Sequence, residues 1–431
     1  VGRHEGLVWL VSGAIPGDRV RVRAIRRRPR WVEAEVGEVV EPSPDRREPS
    51  CAVQPSCGGC PWMVLGEDRQ RAWKRRVVVE ALERIGRLGD VPVDETVASP
   101  ADLAYRNKIE MAVARRDDGS VIVGFHAGRG PERVVDVERC EVMDDKAGRA
   151  LAESRRFFID RPGRDDPVLG DSRNPVRLVL RTSHETGEVL VALRGGRRPF
   201  RAARDFARRL ARLDEVTGVV RLIGHAGRRG GTGIVTLAGR PWIEESLGGT
   251  RFRLPAPVFF QVNTAAARAL VERVLAAVAE PAGSSVLELY GGVGVYGIAL
   301  ARQGARVVIC EADAAAVACG RKAAHGVGNG TVRFERTDVA SFLGKIEAAG
   351  SPDVIVANPP RTGFGRGVAE GIARLAPDRI VIVSCDPATL ARDLKRLADY
   401  RYRIERVTPI DLFPQTPHTE TLSVLQKGTS P

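Results

Sequence analysis

The sequence contains no run of eighteen apolar residues, which argues against a membrane-spanning helix. Its first residues, Val1-Gly2-Arg3-His4-Glu5, lack the charged and then apolar pattern of a secretory leader, so the expected location is the cytoplasm. An initiator Met is also missing, and the chain is expected to be trimmed or mis-started. No repeat of fixed period is present, which argues against a repeat architecture. Acidic residues are in deficit, 54 against 67 Lys and Arg, for a formal net charge of +13 and a pI near 9.9. That imbalance points to an anionic partner, nucleic acid first, although an Arg-rich composition also follows from genomic base bias. Seven cysteines in a cytoplasmic chain point to metal binding or catalysis before disulfides. The 431 residues exceed one core and imply two or three domains.

Residues 1–48 read as a small β-barrel. Leu7–Val11, Val20–Ile25 and Trp31–Val40 are short apolar or alternating runs, with a turn at Ala14–Asp18. Arg21, Arg23, Arg26, Arg27, Arg28 and Arg30 crowd one hairpin, which suits contacts to an RNA backbone; the bland alternative is a solvated charged face.

After a proline-rich linker comes Cys51-Ala-Val-Gln-Pro-Ser-Cys57-Gly-Gly-Cys60-Pro61-Trp62. Three thiols at this spacing, with glycines that let the backbone wrap inorganic sulfide, fit an iron–sulfur loop. Such a site needs a fourth thiolate, and Cys140 is the only other cysteine before the C-terminal domain. Zinc competes, because four thiolates suit it equally. Residues 49–250 are otherwise a mixed α+β region. They include a helix over Asp68–Arg84, a hairpin across Asp117-Asp118-Gly119 and a polar, turn-rich stretch from Arg155 to Pro175.

From about residue 251 strands and helices alternate, the pattern of a doubly wound α/β domain. Ser285–Tyr290 runs as a strand into Gly291-Gly292-Val293-Gly294. Glu311 ends the next strand, placed to accept from two ribose hydroxyls. Asn358-Pro359-Pro360-Arg361 follows a fourth strand. A glycine loop also suits a dinucleotide, but a dehydrogenase does not explain Asn-Pro-Pro. S-adenosylmethionine explains the set better. Asp338 either reaches the adenine or caps a helix. Ile380–Val383 reads as a buried strand that ends at Ser384-Cys385-Asp386-Pro387, with Leu390, Leu394 and Leu397 at helical spacing beyond. Cys385 therefore stands between a strand end and a helix N-terminus, where the helix dipole favours a thiolate. The alternative is a structural cysteine. Cys310 and Cys319 are expected to pack, as are Phe259 and Phe260.

Taken together these segments resemble the RNA 5-methyluridine methyltransferases. The matching pieces are Phe260-Gln261-Val262-Asn263, Leu289–Gly294, Asn358–Gly363, Ser384–Thr389 and Phe413-Pro-Gln-Thr-Pro-His-Thr-Glu420. The resemblance covers essentially the whole chain. It implies an RNA-binding TRAM barrel of OB type (1–48), a central four-cysteine domain (49–250) and a Rossmann-like S-adenosylmethionine methyltransferase domain (251–431). It implies Cys385 as nucleophile and Glu420 as general base. Gln261, Tyr290, Glu311 and Asn358 would contact the cofactor, beside Asp338 from the residue pattern. Cys51, Cys57, Cys60 and Cys140 would hold a [4Fe-4S] cluster. Three positions depart from the family: Asn358 for its usual Asp, Val295 for an Asn, and Gln415 for the first His of the closing motif.

The implied activity is methylation of uridine C5 in RNA, ribosomal before transfer RNA because of the four cysteines, by a monomer acting through a covalent Cys–uracil C6 adduct. Carbon 5 of uracil is a poor nucleophile until a thiolate adds to carbon 6, and a base must then remove the carbon 5 proton. The uridine must be single-stranded or flipped out of a helix. Arg361 could hold a phosphate or a uracil oxygen, or be a plain surface arginine. Two other readings stay open: an RNA-binding protein whose methyltransferase domain has decayed, and a methyltransferase acting on an amino group.

Overall fold

Alternation along the first strands builds a sheet with one acidic and one basic rail. The computed structural model describes residues 2–116, 118–128, 133–160, 170–171, 176–195, 200, 202–224, 233–346 and 351–428. β1 (Gly2–His4), β2 (Leu7–Ser12), β3 (Arg19–Arg27) and β4 (Trp31–Glu41) pair in the order β1-β2-β4-β3. β2 runs parallel to β4 and the other pairs are antiparallel. Among the described residues the ladder pairing does not extend between β1 and β3, the two outer strands of this order.

The central unit is an eight-stranded sheet made of β5 (Lys108–Arg115), β6 (Val121–His126), β7 (Val134–Asp136), β8 (Gly170–Asp171), β9 (Val176–Thr182), β10 (Val189–Arg194), β11 (Val216–Ile223) and β12 (Gly233–Gly239). Its order is β12-β11-β10-β9-β5-β6-β7, with β8 beside β5. The segment expected to be turn-rich from Arg155 instead begins as the end of a helix over Gly148–Ile159. Arg155 is buried there because its guanidinium donates to the Val123 and Val137 carbonyls at 2.6 and 3.0 Å and pairs with Asp136 at 2.8 Å. Phe157, Phe158 and Phe206 pack edge-on and tilted beneath the sheet. Residues 161–169 and 172–175 and Asp117 lie outside the described residues.

Two segments assigned by sequence order to the central region pack on the C-terminal one. The helix Glu67–Ala81 (α1), with one further wide turn over Leu82–Gly86, buries Val78, Ala81 and Leu82 against Leu390, Leu394 and Leu397. The chain after it pairs Val93 with Val407 and Val97 with Ile410. β13 (Trp242–Leu247) and β14 (Thr250–Pro255) form a hairpin whose Ile243, Leu247, Phe252 and Leu254 join the core of the α/β unit. Apolar periodicity shows that α1 has a face to bury, but not against what.

The C-terminal unit is the expected α/β sheet. β15 (Ser285–Leu289), β16 (Arg306–Glu311), β17 (Thr331–Arg336), β18 (Val354–Ala357), β19 (Arg379–Ser384), β20 (Tyr402–Ile410) and β21 (Glu420–Lys427) lie in the order β17-β16-β15-β18-β19-β21-β20. The first five are parallel. β21 inserts antiparallel between β19 and β20. Val- and Ile-rich β18 and β19 are buried on both faces, as parallel strands between helical layers must be. Strand order reverses between β15 and β18, which opens a crevice at their carboxyl ends. Among the described residues no helix is long and apolar enough to cross a membrane.

Candidate active site and cysteine cavity

The crevice is a cavity of about 680 Å³ that runs from the glycine loop to the ends of β18, β19 and β21. Gln261, Tyr290, Glu311, Asn358, Cys385 and Glu420 all line it, with Arg361 and Phe413. Asp338 does not. Its carboxylate accepts from the Ser341 N–H at 2.9 Å and caps the helix Val339–Lys345, the second of its two expected roles.

Local chemistry fixes the floor. Leu289 ends β15, Tyr290 turns the chain at φ 58°, and Gly294 caps the next helix at φ 81°. A β-carbon on Gly294 would stand 2.8 Å from Ile309, so this turn needs glycine. The Glu311 carboxylate accepts from the Gly292 N–H at 2.8 Å and the Asp313 N–H at 2.7 Å, which pins it at the cavity edge beside the loop. The Tyr290 ring stacks on Phe364 with centroids 6.5 Å apart and planes 11° apart. The Asn358 N–H donates to the Leu289 carbonyl at 3.1 Å, tying the Asn-Pro-Pro loop to the glycine loop. Asn263 starts the helix Thr264–Val278 by accepting from the Ala266 N–H, and its amide donates to Ser99 and to the Leu412 carbonyl at 3.0 and 3.2 Å.

At the other end, Ser384 pairs with Thr421 in the β19–β21 ladder, and the Thr421 hydroxyl donates to the Ser384 carbonyl at 2.9 Å. The next positions outward are Cys385 and Glu420. Glu420 is 3% exposed, and burial pushes its carboxyl up to about 8, opposed by the Arg361 guanidinium. Cys385 departs from expectation. Its thiol is raised, not lowered, by burial first and then by Glu420; Arg361, which hydrogen-bonds it, acts against both. Burial and Glu420 therefore outweigh the expected dipole effect. Asp386 caps the following helix (Pro387–Asp399), its carboxylate accepting from the Thr389 N–H at 2.8 Å. Arg361 is itself held through its carbonyl, which accepts from the Thr389 hydroxyl at 3.1 Å.

Three residues that pattern reading missed also belong here. Phe259, expected in the core, is 66% exposed on the cavity rim, whereas Phe260 is buried as expected. Successive residues of an extended segment point to opposite sides, so one ring of the pair had to face out. Tyr296 lines the cavity with its hydroxyl buried between Glu288 and Glu420, both of which raise it after burial. His418 packs edge-on to Phe413 at 6.1 Å, and burial and then Arg361 hold it below the usual histidine range. Its place two residues before Glu420 in the closing motif was the available signal. Cys310 and Cys319 are buried packing residues, as expected.

The other four cysteines line a second, smaller cavity of about 80 Å³. Cys51, Cys57 and Cys60 come from one loop and Cys140 from another, over Met63, Tyr105 and Val142. The Cys60 thiol is pushed up to about 12 by burial and then by Cys140 and Cys57, with Arg106 opposing. Among the described residues no three His, Cys, Asp or Glu side chains converge closely enough to hold a single metal ion.

Comparison with known proteins gives one consistent result. Residues 227–428 match the family model described as tRNA (Uracil-5-)-methyltransferase. Over 433 residues the chain is 34% identical to an uncharacterized RNA methyltransferase of Thermosynechococcus vestitus, covering 99% of this chain and 94% of that one. An uncharacterized RNA methyltransferase of Thermotoga maritima is 32% identical over 433 residues, covering 98% and 95%. The solved tRNA (uracil-54, C5)-methyltransferase of Pyrococcus abyssi, in complex with S-adenosyl-L-homocysteine, shares 26% identity and a TM-score of 0.75, covering 98% of this chain and 96% of that one.

Proposed function

The chain belongs to the RNA uracil-5-methyltransferase family, and from that premise we propose that it methylates uridine C5 in RNA with S-adenosylmethionine, through a covalent adduct on Cys385. The observation that carries the reading is that Cys385 and Glu420 line the same cavity as the glycine loop and Glu311. S-adenosylmethionine supplies, when bound, an electrophilic sulfonium methyl group. Glu311, Tyr290, Gln261 and Asn358 are proposed to hold it. Phe259 offers an exposed aromatic face on which a flipped base can stack.

On this reading the Cys385 thiol loses its proton to water and Sγ bonds to uracil C6, while the C5–C6 π electrons move onto the ring carbonyl as an enolate. C5 takes the methyl group as the donor's carbon–sulfur bond breaks. Glu420 then removes the C5 proton, the C5–C6 double bond returns, and the C6–Sγ bond breaks to regenerate the thiolate. Arg361 serves the first step, because a guanidinium beside the sulfur offsets the burial that disfavours its anion.

The four cysteines are proposed to hold an iron–sulfur cluster. Zinc needs four donors at roughly 2.3 Å from one point. The four thiols line one cavity, and four thiolates are also the donor set of a [4Fe-4S] centre. Such a centre supplies crosslinks between the 51–60 loop and Cys140; methyl transfer consumes no electrons. Iron and sulfide assay with visible absorbance on anaerobically purified protein checks this. Ribosomal RNA is the first substrate class on the four-cysteine resemblance; the whole-length likeness to the P. abyssi enzyme favours transfer RNA.

The test is tritium release. RNA transcripts of both classes, labelled with tritium at uridine C5, should lose the label to water only with donor and wild-type protein. Methyl incorporation without tritium release would place the methyl group elsewhere and overturn the proposal.

A further inference from the structure

One segment reaches both cavities. Phe413 and Glu420 line the large one, and Thr416, between them, lines the cysteine cavity. At the centre of this segment Gln415 is 1% exposed and left-handed, φ 68°, a backbone that a residue other than glycine keeps only when its surroundings hold it. The holding groups come from the cysteine loop and α1. The Trp62 N–H, two residues past Cys60, donates to the Gln415 carbonyl at 3.0 Å, and the Gln415 N–H donates to Gln70 Oε1 at 2.8 Å. Gln70 Nε2 returns a bond to Gln415 Oε1 at 2.9 Å and also donates to the Trp62 carbonyl at 3.0 Å. Arg47 donates to the same Gln415 oxygen at 3.3 Å. One residue earlier, the Pro414 carbonyl accepts from the Tyr105 hydroxyl at 3.0 Å, and Tyr105 packs in the cluster that carries Cys51, Cys60 and Cys140.

We propose that Gln415 is a positioning residue that couples the four-cysteine centre to Glu420. Crosslinking of the four thiols fixes the 51–62 loop; that loop fixes Gln415; and Gln415 sets where the chain enters β21, whose first residue is Glu420. The amide is suited to this place. It donates and accepts at once, with Nε2 reaching the Asp102 carbonyl and Glu67 Oε1 at 3.4 Å while Oε1 accepts from Gln70 and Arg47. The catalytic consequence rests on the methyl-transfer reading; the mechanical coupling rests only on the proposed crosslink of the four thiols.

The test compares wild-type, Gln415→Ala and Cys57→Ser full-length proteins. Amide hydrogen exchange is measured first. In both variants amides of 411–421 should exchange at least about tenfold faster, while those of the helix Thr264–Val278 keep their wild-type rates. Gln415→Ala should keep the absorbance of the cysteine centre. Under turnover with donor and RNA, Gln415→Ala should lower kcat with little change in the KM for RNA. It should also accumulate a denaturation-resistant protein–RNA adduct, because release depends on Glu420. Wild-type exchange at 411–421 in Cys57→Ser, with only 51–62 loosened, would overturn the coupling. A uniform rise across the chain in Gln415→Ala would overturn it too, since that marks general destabilisation. Faster exchange at 411–421 without any adduct from any protein would leave the coupling standing and remove the methyl-transfer reading.

Discussion

Cys385 and Glu420 are neighbours because β19 and β21 are antiparallel, with Ser384 set against Thr421 at the last paired rung. Both side chains therefore leave the sheet at the same edge, into one cavity. Burial raises both, and Arg361 opposes that in both. Burial therefore favours the neutral form of both groups, and rising pH favours their ionisation.

Activity should follow that ionisation. The Glu420 carboxyl sits at about 8, so its base form grows as pH rises through that value. Adduct release, followed as single-turnover decay on a denaturing gel, should speed up from pH 6.5 to 8.5 by about 25-fold. A flat profile over that range would contradict the assignment of Glu420 as base.

Stability should move the opposite way. A carboxyl raised from 4.5 to about 8 on folding binds more proton in the native state between those values, so it favours folding below 4.5 and loses that contribution as pH rises through about 8. Glu420→Gln cannot ionise. The melting temperature of wild type minus that of Glu420→Gln should therefore fall steadily from pH 5 to pH 8.5, as read by circular dichroism.

Arg361→Ala removes the one cation that opposes burial at both groups. It should lower kcat/KM by about 10²-fold, the usual scale for losing a preorganised charge, and shift the ascending limb of the pH profile to higher pH. Arg361→Lys keeps the charge but loses the planar fork, and should recover only part of the loss. Unchanged kinetics in Arg361→Ala would return it to a surface arginine.

RNA binding should concentrate at the tip of the first basic hairpin. On its shaft Arg19, Arg21 and Arg23 pair with Glu41, Glu38 and Glu35. Arg26, Arg27, Arg28 and Arg30 are exposed beyond them. Replacing these four with Ser should weaken RNA binding and flatten its dependence on salt by up to about 0.7 to 0.9 for each phosphate no longer neutralised. Replacing Arg21 and Arg23 should do less, because their charge already has a partner. Filter binding at several salt concentrations distinguishes the two sets.

Lys74 and Asp411 form a buried ion pair, 0% and 2% exposed, and the Lys74 ammonium also donates to the Phe413 carbonyl at 3.0 Å. Burial lowers Lys74, and Asp411 resists that. Lys74→Met strands a buried carboxylate and should cost about 3–5 kcal/mol in urea denaturation. An unchanged unfolding midpoint would rule out that penalty.

Much of this was legible in the chain. The doubly wound unit showed itself because β15 to β19 alternate with helices at ordinary lengths, and six of the seven residues expected at the donor and target ends, all but Asp338, line one cavity. What stayed hidden was long-range. Nothing in the spacing of Val78, Ala81 and Leu82 names Leu390 and Leu394 as their partners. The direction of the Cys385 shift needed its burial and its distance-dependent neighbours, which a helix-start motif cannot supply. Phe259 and Phe260 are chemically alike and differ only in which side of the chain faces the crevice. Asp338 fitted two roles in the sequence, and its bond to Ser341 shows the capping one.

The central claim is covalent catalysis by Cys385, and a trap tests it most directly. The protein is incubated with S-adenosylmethionine and with ribosomal and transfer RNA transcripts that contain 5-fluorouridine, then run on a denaturing gel. Fluorine at C5 does not leave as a proton does, so the adduct cannot eliminate. The account predicts a shifted band in wild type, absent in Cys385→Ala, and the trapped transcript identifies the RNA class. A band that persists in Cys385→Ala, or none with either RNA while donor binding is intact by calorimetry, would contradict it.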